Sequence, residues 1–100
     1  MQAATLDEQP RAHGAADLHL KASINRALGQ SAEAITASQA SLDREPLQVV
    51  WRYELAELWS EQDRFQESFQ ELLKIQMLQP QNDQARALLN AVKGKIAEGR

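Results

Sequence analysis

His13 and His19 are the only histidines in the chain, and their spacing would set two helical imidazoles on opposite sides of a helix. Neither has a second histidine four residues on, and no HExxH occurs, so a zinc-type ligand set is not expected. With no cysteine, thiolate chemistry and disulfides are excluded. Glu67 and Glu71 stand at i, i+4 and read as a solvated helix face, with Glu71 in reach of Lys74. Paired acid and base catalysis needs neighbours or burial that split two pKa values, and no carboxylate pair here has such a setting in the sequence. Serines are frequent, yet no G-x-S-x-G turn, P-loop or G-x-G-x-x-G is present. Trp51 and Trp59, eight residues apart, share a helix face and could stack a ligand. The core is the better assignment for Trp59, whereas Trp51, at a helix start, packs on Pro46 or sits in a groove. No catalytic residue, cofactor or metal is therefore expected.

The composition shows what must position these side chains. One hundred residues make one small domain or a fragment of a larger protein. Ala, Leu, Gln and Glu dominate and favour helix, while β-branched residues are sparse, so the expected class is all-α. A net charge of −3 argues against nucleic acid, which calls for a basic face. Nowhere do eighteen apolar residues run together, so no membrane span is expected, and Met1 to Pro10 lacks the apolar run of a signal peptide. The compartment stays open, with the cytoplasm preferred on these two grounds.

Five helices are expected, at Ala15–Leu28, Ser31–Arg44, Leu47–Glu61, Arg64–Leu78 and Asn82–Glu98, joined by links so short that neighbours fold back as antiparallel hairpins. Trp51, Leu55, Leu58 and Trp59 fall on one helical face, as do Phe65, Phe69, Leu72 and Leu73. Ala85, Leu88, Leu89, Val92 and Ile96 form a stripe on the last helix. Gly29 can supply φ > 0 between the first two helices. Asp63, with Gln66 three residues on, has the spacing of a capping box, and Asn82 or Asp83 can cap the fifth helix. Pro46 and Pro80 follow the second and fourth helices.

Shifting the chain by 34 residues superposes these landmarks: Pro46 on Pro80, Ala22 on Ala56, Glu33 on Glu67, Ala34 on Ser68 and Ile35 on Phe69. The next period sets Arg52 on Arg86 and Leu55 on Leu89. A helix pair of this period ending in proline resembles the tetratricopeptide repeat, whose pattern is W-x2-L-G-x2-Y…A-x3-F…P. The resemblance runs from about Ala15 to Ile96. Residues 15–48 keep Leu18, Ala22, Gly29, Ala34, Leu42 and Pro46, and depart at Lys21, Asn25, Ser31 and Ser38. Residues 49–82 keep Leu55, Ala56, Trp59, Phe65, Leu72 and Pro80, and depart at Arg52 and Asp63. Residues 83–100 then read as a capping helix with Gln84, Arg86, Lys93 and Lys95 outward. Residues 1–14 are a tail or the remnant of a preceding repeat, since Leu6-Asp7-Glu8-Gln9-Pro10 echoes Leu42-Asp43-Arg44-Glu45-Pro46.

The resemblance implies a short right-handed solenoid of stacked hairpins. Its structural core would be Ala22, Gly29, Ala34, Leu55, Ala56, Trp59, Phe65, Phe69 and Leu72. It also implies a concave groove, lined by the first helix of each unit, that holds a peptide or helix of a partner protein. Groove positions fall on His19, Ser23 and Arg26, on Val50, Tyr53, Glu54, Glu57 and Glu61, and on Gln84, Ala87, Leu88 and Ala91. Glu54, Glu57 and Glu61, at i, i+3, i+7, form one acidic ridge suited to a basic peptide or helix. That ridge would repel the acidic chaperone tails that some members bind through a clamp of Lys, Arg and Asn, because His19, Ser23 and Glu54 replace clamp residues. The alternative role is a structural spacer or self-association module, favoured if Val92 and Ile96 are exposed on the last helix.

Overall fold

A computed structural model describes residues 14–99. His13 and the echo at Leu6 to Pro10 lie outside the described residues. Among the described residues there are five helices and no strand: α1 (Ala15–Ala27), α2 (Ser31–Arg44), α3 (Val49–Glu61), α4 (Phe65–Leu78) and α5 (Asp83–Glu98). The chain divides between Pro46 and Leu47 into two compact units. In the first, α1 packs on α2; in the second, α4 packs on both α3 and α5.

The 34-residue period is written into the backbone. Helices α1 and α2 shifted by 34 give the bounds of α3 and α4, and α3 shifted again starts α5. Gly29 and Asp63, one period apart, have φ of 77° and 61°. Around them the same hydrogen bonds recur. Gln30 N–H donates to the Asn25 carbonyl and Arg64 N–H to that of Trp59, both at 2.8 Å. The exit residues Glu45 and Gln79 also match, with φ, ψ of −136°, 79° and −138°, 80°.

Gly29 was expected in the core and is instead an exposed turn residue. Its value lies in the left-handed conformation, since a Cβ added there would meet nothing within 4 Å. Gly29→Ala should therefore cost about 1 kcal/mol through backbone strain alone, measurable by urea denaturation. Asp63 adopts the same conformation, which rules out the extended backbone of a helix cap. Arg64 takes the cap position of α4 and no side chain caps it, correcting the capping-box expectation. Asn82 does cap α5, its Oδ1 accepting from Ala85 N–H at 2.9 Å.

The second unit is held by Ala56, Leu72, Ile75, Ala85, Leu89 and Val92, all nearly inaccessible. Phe65, Phe69 and Ile96 pack against this cluster but stay half-buried. Val92, whose exposure would have favoured self-association, is only 1% exposed, because its turn of α5 faces the core. Ala22 and Ala34 are buried in the first unit and Leu55, Ala56 and Trp59 in the second, as expected. Ser68, one period after Ala34, keeps the small size required and satisfies its hydroxyl by donating to the Ala56 carbonyl at 2.8 Å. In the first unit, the positions matching Leu72 and Ile75 are Ser38 and Ser41, both buried, with Ser41 Oγ donating to the Ser38 carbonyl at 2.8 Å.

Candidate partner-binding cleft

The expected groove residues divide between the two units. In the first, His19, Ser23 and Arg26 follow one face of α1; His19 and Arg26 are half-buried, and Ser23 Oγ donates back to the His19 carbonyl at 3.2 Å. In the second, Tyr53, Glu54 and Glu57 line one cleft of about 280 Å³ with Val49, Val50, Gln79, Asn82 and Gln84. Glu61, two turns beyond Glu54, is exposed and does not line it. Of the positions expected from α5, only Gln84 reaches the cleft. Ala87 and Ala91 are exposed, and Leu88 packs against the core.

Sequence reasoning missed Val49, at the start of α3, and Gln79 and Asn82, which come from the link between α4 and α5. The signal was present in part, because the cap of Asn82 on α5 fixes this link beside the start of that helix. Asn82 Nδ2 also donates to Gln79 Oε1 at 3.0 Å, bracing the link.

The cleft wall is apolar at Val49 and at Val50, which is 66% exposed, and acidic at Glu54 and Glu57. No Lys, Arg or His lines it. Burial, followed by the charge of Glu57, pushes the Tyr53 phenol above its ordinary pKa. The fold thus favours the neutral phenol. This contribution is complete below about pH 10 and is lost as pH rises through the folded-state value. Tyr53 is the only tyrosine, so phenolate absorbance reports it alone. Glu57→Gln should lower its midpoint toward the ordinary value without reaching it, because burial remains.

The polar pairs elsewhere correct one expectation. Glu67 and Glu71 do not form one solvated face. Glu71 turns to α3, where its Oε1 accepts from Arg52 Nη1 at 2.8 Å, with side chains only 10% and 13% exposed. Lys74 Nζ lies 3.7 Å from the other oxygen of Glu71, as expected. Glu67 instead meets Arg64 Nη2 at 2.6 Å. That hydrogen bond holds the Glu67 carboxyl below the usual range, a contribution present above that range and lost as pH falls through the lowered value. Both side chains are well exposed, so it is worth little.

Among the described residues no group of three or more His, Cys, Asp or Glu is placed to hold a metal ion, and no helix is long and apolar enough to cross a membrane. No family model matches the chain, and none of the curated proteins matches it.

Proposed function

We propose that this chain is a non-catalytic protein–protein interaction scaffold of the tetratricopeptide type, a right-handed stack of helix hairpins that holds a peptide or helical segment of a partner. The observation that carries the proposal is the cleft of the second unit. Exposed valine, half-buried tyrosine and two carboxylates converge there on positions that line the binding groove in tetratricopeptide proteins. The 34-residue recurrence of helix bounds and left-handed turns supports the family assignment.

A basic segment suits the cleft best, because acidic lining speeds capture of a cationic partner while desolvated apolar contacts supply most of the affinity. The test is parallel capture from native lysate with two baits, this chain and its Glu54→Lys, Glu57→Lys, Glu61→Lys variant, matched in helicity by circular dichroism. The expected result is a specific set of proteins on the first bait that is absent from the second. Equal sets on both baits would remove the cleft from the function.

A second reading, a spacer or self-association module, is favoured by a different observation. Leu20, Ile24 and Leu28 are 58%, 50% and 67% exposed and follow one another at i, i+4, i+8 on the side of α1 away from buried Ala15 and Ala22. An apolar stripe on the outer face of a surface helix is a place for another chain. Sedimentation over a wide concentration range separates the two readings, since only self-association raises the mass.

A further inference from the structure

We propose that the outer stripe of α1, Leu20, Ile24 and Leu28, is the seat of a further helix, namely the second helix of another hairpin of this 34-residue kind. This goes beyond the scaffold reading and does not depend on the cleft.

What covers such a stripe is visible elsewhere in the same chain. Two periods on, Leu20, Ile24 and Leu28 become Leu88, Val92 and Ile96. On α5 these residues turn inward: Val92 belongs to the buried cluster of the second unit, and Leu88 and Ile96 pack against it. The helix that meets α5 is α4, which brings Leu72 and Ile75 to the same cluster. Helix α4 is the second helix of its hairpin and precedes α5 in the chain. On α1 the same three positions are exposed by half or more. Spacing, apolar character and place in the period all match, and the covering helix is what differs.

The open side of α5 shows that this sequence treats covered and uncovered faces differently. Ala22 and Ala56 are buried in the hairpins that α1 and α3 form with α2 and α4. The same position on α5, which no helix follows among the described residues, is Asn90. Asn90 is exposed, and so are Arg86 and Lys93 on either side of it. A helix face left to solvent is thus polar, as it must be at the edge of a helical stack. The stripe of α1 breaks that rule over three successive turns, which marks it as a contact surface.

Other occupants fit less well. Two copies pairing stripe on stripe would each bury three side chains, well short of the ~800 Å² per partner of a stable interface. The α4 of a second copy is already engaged by its own α3 and α5. An extended segment would lay unpaired backbone N–H and C=O groups on an apolar row. A helix pairs those groups internally, and its apolar face repeats the spacing of Leu72 and Ile75. The seat is narrower than that of α5, because Asp17 and Lys21 stand where α5 has Ala85 and Leu89. The stem of Lys21 can lie along the incoming helix with its ammonium in water.

The test supplies such a helix in register. A second copy of residues 47–82 replaces residues 1–14, so that its Asn82 precedes Ala15 as Asn82 precedes Asp83 in the chain. Methyl signals of Leu20, Ile24 and Leu28 are recorded with a soluble paramagnetic agent. They should broaden in the parent and be protected in the extended chain. Ile24→Lys is then made in both. In the parent it should move the melting midpoint by under about 4 °C, as at an exposed site. In the extended chain it should lower the midpoint by about 10 °C or more and expose Leu20 and Leu28 again.

Stripe methyls that stay exposed in the extended chain, or equal effects of Ile24→Lys in the two chains, would overturn the proposal. A lower helicity per residue in the extended chain would overturn it too, since the added helix would have found no seat. So would a parent mass that rises with concentration and falls back to the monomer in Ile24→Lys, which assigns the stripe to a second copy. The lysate capture reads the cleft alone, so the scaffold reading stands or falls apart from this one.

Discussion

Glu71→Leu is expected to destabilise the protein by on the order of 3 kcal/mol, although it places an apolar residue at a largely buried site. The reason is Arg52. Its guanidinium donates to Glu71 at 2.8 Å where its side chain is 10% exposed, and the substitution removes that carboxylate while leaving the buried charge. Arg52→Met should cost less, because Lys74 still stands 3.7 Å from the carboxylate that remains. The double variant Arg52→Met, Glu71→Leu should recover most of the loss and fall within about 1 kcal/mol of the parent, since both desolvation costs vanish with the pair. Urea denaturation of the four proteins gives the coupling directly. Additive single effects would show that the pair contributes no more than two independent surface contacts.

Trp59→Ala should cost about 3–5 kcal/mol, much of the stability of a domain this size. Two effects could be responsible, and their magnitudes separate them. Arg64 lies over the indole with its Cζ 5.1 Å from the ring centroid, a contact worth roughly 0.5–1 kcal/mol at an exposed site. Burial is the larger effect, since Trp59 is only 9% exposed and truncation removes the whole ring. Arg64→Ala should therefore cost under about 1 kcal/mol, and Trp59→Phe should fall between the two. Denaturation midpoints of the three variants test the order. If Arg64→Ala matched Trp59→Ala, the cation would be the main contributor.

The helix bounds were legible because period and punctuation agreed. Gly29 and Asp63 mark the turns, the prolines mark the exits, and the bounds expected from them fall within two residues of those found. Rotation about each helix was harder to read. Glu67 and Glu71 differ by about 40° around α4, enough to send one to Arg64 and the other to Arg52. Arg52 itself read as a departure from the aromatic residue of the resembled pattern, and no pattern of charges along one helix tells which carboxylate on the next will meet it. Within the cleft, Val50, Tyr53, Glu54 and Glu57 of α3 were readable as a helical face. Gln79 and Asn82 were not, because they are brought there by a link whose path depends on the packing of α4 against α5.

The matched turns and exits have a consequence for how such a chain can change length. The backbone leaves α2 at Glu45 and α4 at Gln79 with dihedral angles that agree within 2°, and enters α3 and α5 through Gln48 and Asn82 at ψ of 91° and 100°. A copy of the 34-residue block could be spliced in or out at these joins without reshaping either end. Growth by duplication is therefore quantised. Gains or losses of whole blocks preserve every turn, whereas an indel of a few residues inside a hairpin would shift Gly29 or Asp63 against the helices it joins and favour moving the left-handed conformation onto a residue that resists it.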